Sequence, residues 1–266
     1  MKHKMTVVSA VVAGSLLGLV ASSQAQFTYN AGDMFVGFRE AGMPDLVVNI
    51  GQTSMYQTLS GISFTVPGGV TAALSATYGA NLNGLYWSVF SYQASDNTLF
   101  TSSARSDVTI QTSAPSSLSS SGQGIVRAYM HSILNGATSP SATALTSSQA
   151  QIPNSLNQSG ELSYTIGVQV PGSTTQSGNF RNSWVPVENY TGTSFTGTSV
   201  SDLYQNAPGN PLTTVGSYLG NFSLDSSGKF TFNPVPEPGT WAMLGAGLVG
   251  LLAFRRLGRP ATKCTK

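Results

Sequence analysis

The residues that can do chemistry in this chain are few, and acids dominate them. The stretch from Gln26 to Pro234 contains one histidine, His131, and no cysteine. The only cysteine of the chain, Cys264, is the third residue from the C-terminus. The same stretch holds nine carboxylates: Asp33, Glu40, Asp45, Asp96, Asp107, Glu161, Glu188, Asp202 and Asp225. Two carboxylates facing each other across a sugar would make a glycoside hydrolase. No local motif selects such a pair, and turns favour Asp for ordinary structural reasons.

The chain offers even fewer residues for other kinds of catalytic site or for a metal site. A serine hydrolase would need His131 as its base, but the chain contains no G-x-S-x-G motif. His131 follows Arg127 by four residues on the polar side of a predicted helix, where a solvated histidine is expected. A zinc site of the His and Cys type lacks its ligands, and the DSSGK stretch at 225–229 lacks the alternating carboxylates of a calcium loop. We therefore expect no catalytic residue, no metal site and no cofactor.

One aromatic stretch offers a different chemistry. Tyr86, Trp87, Phe90 and Tyr92 would suit a platform that stacks on sugar rings, as in a carbohydrate-binding module. The same stretch is apolar on both faces, which is typical of a central, buried strand. The core strand is the favoured interpretation, and the carbohydrate-binding module stays open as an alternative.

The charge of the chain is low and unevenly placed. Only 8% of the residues are charged, against about 25% in an average soluble domain. From Gln26 to Pro234 the nine acids outnumber five bases, which gives this part a net charge of −4. Such a surface does not neutralise phosphates, so nucleic acid is excluded as an expected partner.

The elements that must position these residues are mostly short strands. Alternating apolar residues predict a hairpin around the EAGMP turn at 40–44 and another around the DSSG turn at 225–228. Further strands are predicted at 85–93, 98–105 and 161–170, and helices at 68–79 and 125–136. Eight to ten strands with one or two short helices predict an all-β fold, a mainly antiparallel β-sandwich-like domain over residues 26–234.

The first 25 residues have the three parts of a secretory signal peptide. Lys2 and Lys4 precede an apolar stretch, and the stretch ends in the small-residue site Ser23-Gln24-Ala25. Cleavage is expected between Ala25 and Gln26. An uncleaved N-terminal anchor is the alternative.

Residues 235–266 form a second targeting segment. Two prolines around Glu237 hold the backbone extended, and Thr240–Phe254 then runs for fifteen residues without a charge. As a helix this run would span about 22 Å, short of the roughly 30 Å hydrocarbon core. Snorkelling by Arg255 and Arg256 makes a transmembrane helix over about 240–257 feasible, and the basic tail places the C-terminus in the cytoplasm. A buried core helix is the alternative.

This order of Pro-Glu-Pro, short apolar helix and arginine-rich end resembles the PEP-CTERM sorting signal of Gram-negative bacteria, a module also called the ice-binding protein C-terminal domain. The resemblance covers about 30 of 266 residues. It implies that an exosortase, a multi-pass processing enzyme of the inner membrane, recognises Pro236, Glu237 and Pro238. It also implies that Arg255 and Arg256 stop the helix in the membrane.

The resemblance implies an exported protein that is anchored transiently in the inner membrane with its body outside, and then sorted to the cell surface or extracellular matrix. A non-enzymatic structural or adhesive role is the favoured hypothesis, with exopolysaccharide as a candidate partner. The alternatives are a carbohydrate-binding surface module and a secreted hydrolase whose site no motif reveals.

Overall fold

The computed structural model describes residues 25–58, 62–95, 97–105, 111, 120–168, 188–207 and 216–235, together with Ala246 and Val249. Its strands are β1 (Asp33–Arg39), β2 (Asp45–Gln52), β3 (Phe64–Thr65), β4 (Tyr86–Gln93), β5 (Thr98–Arg105), β6 (Thr143–Thr146), β7 (Gln149–Ile152), β8 (Asn157–Gln158), β9 (Glu161–Leu162), β10 (Asn189–Tyr190), β11 (Thr198–Asn206), β12 (Ser217–Asp225) and β13 (Phe230–Pro234). Its helices are α1 (Thr53–Thr58), α2 (Val70–Tyr78), α3 (Ser120–Thr138) and α4 (Tyr164–Val168).

Nearly all of these strands join one antiparallel sheet. Its order is β3-β13-β12-β11-β5-β4-β1-β2-β7-β6, and the short β10 pairs with the first residues of β4. The two predicted hairpins are confirmed as β1–β2 and β12–β13. Gly42 and Gly228 take positive φ angles of 79° in the two connecting turns, a conformation that favours glycine.

The sheet curls until its two halves face each other. Phe38 of β1 lies 6.1 Å from Phe230 of β13 between ring centroids, although four strands separate them along the sheet. Trp87 of β4 meets the same Phe230 edge to face at 5.3 Å. Tyr56 from α1 and Leu74 from α2 complete this inner core. The curl therefore encloses a core rich in aromatic side chains.

The fold class is confirmed as mostly antiparallel β, but its finer description needs two corrections. The strands form one continuous curled sheet and not the two sheets of a sandwich, because β11 pairs with β5 over Val200–Asn206 and so links the halves. The described residues also contain four helices, where one or two were expected. One of them, α3, runs for 19 residues and contains the whole of the helix predicted at 125–136.

The outer face of the sheet carries a second core under α3 and α4. Met130 and Ile133 of α3 pack with Phe35 of β1 and Phe90 of β4, and all four side chains are buried. The other helix, α4, lies close to the sheet because Gly37 of β1 has no side chain. A Cβ at Gly37 would lie 2.3 Å from the ring of Tyr164 in α4.

The strand predicted at 161–170 is wrong for most of its length. Only Glu161–Leu162 is a strand, Tyr164–Val168 is the helix α4, and residues 169 and 170 lie outside the described part. The Oγ of Ser163 accepts the N–H of Ile166 at 3.1 Å, and a carboxylate oxygen of Asp45 accepts the N–H of Thr165 at 2.5 Å. These caps satisfy the free N–H groups at the helix start, so tertiary contacts override the alternating pattern.

Candidate functional site

The candidate site is the junction where the last strand passes into the C-terminal segment. At Pro234, β13 still pairs with Gly220 of β12, and the N–H of Val235 donates to the carbonyl of Leu219 at 3.2 Å. On the other side the Oγ of Ser63 donates to the Oδ1 of Asn233 at 2.5 Å. The chain is thus held by the sheet up to Val235, one residue before the predicted recognition tripeptide.

The predicted sorting residues begin immediately after this junction. Pro236, Glu237, Pro238, Arg255 and Arg256 all lie outside the described residues. Within the predicted transmembrane segment only Ala246 and Val249 are described, and both are helical and exposed. Among the ranges that the structure describes, no helix is long and apolar enough to cross a membrane.

The predicted signal cleavage site lies at the other end of the domain. Ala25 and Gln26 are exposed, and residues 1–24 of the predicted signal peptide lie outside the described part. The next residue, Phe27, is buried in the outer core, and the N–H of Thr28 donates to the carbonyl of Ser147 at 2.9 Å. The predicted cleavage site is therefore exposed, and it lines a surface recess with Ala137 and Pro140 at the end of α3.

Glu188, one of the fully buried carboxylates, forms an ion pair with Arg39. The Nε and Nη2 of Arg39 donate to the two oxygens of Glu188 at 2.8 and 2.7 Å, and both side chains are shielded from solvent. Burial alone would lower the pKa of Arg39, but the hydrogen bond and charge of Glu188 raise it above its usual value. The guanidinium also lies 4.1 Å from the ring centroid of Tyr86, which stacks on Tyr190.

Asp45 lies fully buried beside this pair. Its oxygens accept the N–H and the hydroxyl of Thr165, at 2.5 and 2.6 Å. Burial raises the pKa of Asp45 from 3.8 to about 7, against the lowering effects of the Thr165 hydrogen bonds and the Arg39 charge. A perturbed carboxylate of this kind is common at catalytic sites. Here both oxygens are occupied in capping α4, which is a structural use.

The other carboxylates of the described residues are paired, hydrogen-bonded or partly exposed. Asp202 forms a buried ion pair with Arg105, whose Nη2 also donates to the hydroxyl of Tyr218 at 3.0 Å. Asp33 accepts the side-chain amides of Asn49 and Gln52. Three further residues are less deeply placed: Glu40 and Glu161 are partly exposed, and Asp225 accepts hydrogen bonds within its own turn. Asp96 and Asp107 lie outside the described residues.

The histidine of the domain lies at the protein surface. His131 is exposed on α3, as predicted, and its Nδ1 lies 3.1 Å from the side-chain amide of Asn135 one turn along. Within the described ranges, no three His, Cys, Asp or Glu side chains come close enough to hold a metal ion.

The aromatic side chains of β4 do not form one platform. Trp87 and Phe90 are fully buried on opposite faces of the sheet, which confirms the core interpretation for both. Tyr92 is partly exposed, and with Tyr29 it lines a small apolar recess that Met130 and Leu134 of α3 close from below. The recess presents two partly exposed tyrosine rings from different segments, whereas the sequence indicated a platform of four aromatic side chains on β4.

Sequence reasoning missed the two buried ion pairs. Arg39 and Glu188 are separated by 149 positions, and Arg105 and Asp202 by 97. No local motif connects such partners. The signal available was the rarity of charge itself, since a chain with only 8% charged residues has few bases to satisfy any buried acid.

Comparison with known proteins gives a family match for the C-terminal segment. Residues 234–257 match the family model described as the PEP-CTERM protein-sorting motif. No curated protein and no solved structure matches the chain significantly. The match begins at the last residue of β13 and covers the Pro-Glu-Pro tripeptide, the apolar run and both arginines. The C-terminal segment is a PEP-CTERM sorting motif, and it marks the chain as an exported protein that an exosortase handles at the membrane.

Proposed function

We propose that residues 26–234 form a non-enzymatic structural or adhesive domain of the cell surface or extracellular matrix. The signal peptide takes the chain across the inner membrane, and the segment at about 240–257 holds it there as a transmembrane helix. The exosortase then acts near Pro236–Pro238, and the domain leaves the membrane. The observation that carries this proposal is the position of the sorting motif, which follows the last paired residue of the sheet without a further folded element.

The chemistry of the domain supports a structural role. The buried carboxylates Glu188, Asp202 and Asp45 are all committed to ion pairs or to a helix cap. The weakly charged surface of hydroxyl and amide groups suits an extracellular matrix, where exopolysaccharide is a candidate partner. A measurable turnover of any glycan or peptide by the purified domain would contradict the non-enzymatic role.

The sorting step is tested with the full chain in a Gram-negative host that contains an exosortase. The wild type should yield a mature protein that begins at Gln26 and has lost the basic tail, as measured by intact mass. Glu237→Gln should leave the tailed form in the inner-membrane fraction, because the only charge of the tripeptide is lost. Glu40→Gln, which changes a partly exposed glutamate of the domain, is the matched control and should be processed normally. A mature wild-type protein that still ends at Lys266 would contradict processing.

A carbohydrate-binding module is a second candidate, and the recess between Tyr29 and Tyr92 favours it. Partly exposed tyrosine rings provide apolar contact area for a sugar, with a hydroxyl at the edge. A glycan array with residues 26–235 should then give hits that Tyr92→Ala abolishes. Tyr190→Ala, at a partly exposed tyrosine stacked on Tyr86 elsewhere on the surface, is the control.

A further inference from the structure

The surface around the chain exit is uncharged in the part that the structure describes. We call Ile62, Leu219 and Val235, the aliphatic side chains that reach solvent at this exit, the exit face. Ile62 is 78% exposed and Val235 is 37% exposed. The pairing of Phe64 with Phe232 runs antiparallel, so Ile62 continues β3 to the level of Pro234. Val235 is held in place by its hydrogen bond to Leu219. Two exposed aliphatic side chains therefore flank the point where the chain leaves the sheet.

No charged residue occurs in the segments that build this face. The described residues of these segments, 62–68, 216–224 and 230–235, contain no Asp, Glu, Lys or Arg. The charges of the β12–β13 hairpin, Asp225 and Lys229, stand at its opposite end. The nearest ion pair, Arg105 with Asp202, is buried. The exit face thus differs in polarity from the turn end of the same hairpin.

The length of the tail determines what this face meets. Four residues, 236–239, separate Val235 from the uncharged run that starts at Thr240. Even fully extended, the five steps from Val235 to Thr240 reach only about 18 Å. The polar layer of a bilayer takes up about 5–7 Å of that distance on each side. The roughly 11–13 Å that remain are less than the radius of gyration of about 17 Å that a domain of about 210 residues has, so the exit face stays within about 13 Å of the polar layer.

We propose that the exit face rests on the lipid bilayer while the tail is inserted, with Ile62 and Val235 in the headgroup layer. This inference rests on the membrane insertion given under the proposed function. Uncharged aliphatic side chains enter this layer without the cost of desolvating a charge, and the tether holds them within reach of it. Contact at two points beside the tail fixes the orientation of the domain. Pro236–Pro238 are then presented at the depth where a membrane-embedded enzyme acts.

Site-specific fluorescent labels in the full chain test the contact. Cys264, the only cysteine of the chain, is first replaced by serine. Separate variants then carry Ile62→Cys on the exit face, Ser226→Cys in the exposed turn at the far end of the hairpin, and Leu248→Cys in the apolar run. Each labelled protein is reconstituted in phosphatidylethanolamine and phosphatidylglycerol vesicles with a lipid-attached quencher. We expect about threefold stronger quenching at position 62 than at position 226, and strong quenching at position 248.

Each outcome decides a different point. Strong quenching at 248 with equal, weak quenching at 62 and 226 overturns the exit-face contact and leaves membrane insertion intact. Weak quenching at 248 overturns both insertion and the contact that depends on it. If the label at 62 is shielded only after the exosortase is added to the vesicles, the face binds the enzyme and not lipid, which also overturns the proposal. Because Ile62 is exposed, its substitution leaves the inner core unchanged.

Discussion

Arg39 carries a positive charge inside the protein, and its environment is built to keep that charge. Glu188 accepts two hydrogen bonds from it, and Tyr86 covers its flat face. Removal of one member of a buried pair leaves the other charged and unpaired, which costs far more than the pair contributes as a whole. The short strand β10, which follows Glu188 directly, is therefore fastened to the sheet through this contact as well as through its pairing with β4.

We expect Glu188→Ala to lower the free energy of unfolding by about 3–5 kcal/mol, because it leaves Arg39 buried without a partner. The double variant Arg39→Met with Glu188→Met should regain most of this loss, since no charge remains to be paired. Urea denaturation of residues 26–235 measures both values. A double variant that is less stable than Glu188→Ala would contradict the role given to the pair.

Asp45 makes the stability depend on pH in an unusual direction. Its pKa is raised by burial to about 7 in the folded chain, whereas its usual value is 3.8. The folded state therefore binds the proton more tightly than the unfolded state does. Its contribution to stability is complete below about pH 4 and is lost as the pH rises to about 7, by about 4 kcal/mol at most.

The pH dependence due to Asp45 can be distinguished from that of other groups by its surroundings and by comparison with a second acid, Asp225. Arg39 of β1 and Tyr78 of α2 face the same carboxylate, together with the hydroxyls at the start of α4, those of Ser163 and Thr165. Asp225 acts in the opposite sense. Partial burial alone would raise its pKa, but hydrogen bonds from Ser227 and Lys229 together lower it, so its contribution is lost only in stronger acid. Denaturation midpoints between pH 4 and pH 8 should fall for the wild type and stay flatter for Asp45→Asn. An equal slope in both proteins would contradict the assignment.

At the scale of elements, glycines allow two helices to pack closely, α4 against the large sheet and α3 against β9 of the separate two-stranded sheet β8–β9. Gly37 makes room for Tyr164 of α4, and Gly136 of α3 lies against the backbone of β9. A Cβ at Gly136 would stand 2.1 Å from the carbonyl oxygen of Leu162, which a backbone cannot easily move to avoid. The close contact of α3 with β9 thus depends on the absence of one methyl group.

The two glycines of α3 should respond oppositely to the same change. Alanine favours a helix over glycine by about 1 kcal/mol, so Gly124→Ala should stabilise the protein, since the nearest atom to a new Cβ is the Nη2 of Arg127 at 3.9 Å. Gly136→Ala should instead destabilise it by about 1–3 kcal/mol through overpacking. Thermal unfolding followed by circular dichroism compares them. A stabilised Gly136→Ala variant would show that α3 can move away from β9.

At the scale of the whole molecule, the curl of the sheet makes the last strand part of the inner core. Phe230 and Phe232 of β13 contact Phe222 at 5.4 and 4.8 Å between ring centroids, and Trp87 closes over Phe230. The inner core therefore depends on the last strand of the sheet, and the match to the sorting motif starts at the last residue of that strand. Among the described residues, the buried side chains of both cores come from residues that precede Val235.

A chain that ends at Val235 should fold as stably as the processed protein. A chain that ends at Asp225 should not fold, because it lacks β13 and two buried phenylalanines. Near-ultraviolet circular dichroism, which reports on packed aromatic rings, distinguishes the two. Native-like spectra from both would contradict the place of β13 in the core.

The sequence alone determined the features that rest on neighbouring residues. The β1–β2 and β12–β13 hairpins and the helices near 68–79 and 125–136 follow from alternation, helical periodicity and glycine turns, and the structure confirms them. The sorting motif is also local, because its match covers the contiguous residues 234–257.

Only the tertiary structure decided the features that join distant residues. The single curled sheet depends on the pairing of β5 with β11, and the buried pair depends on Arg39 meeting Glu188 across 149 positions. The alternation at 161–170 indicated a strand, yet the Asp45 cap and the space over Gly37 favour the helix α4. Local propensities differ by about 1 kcal/mol, and burial with hydrogen bonding from another part of the chain outweighs such differences.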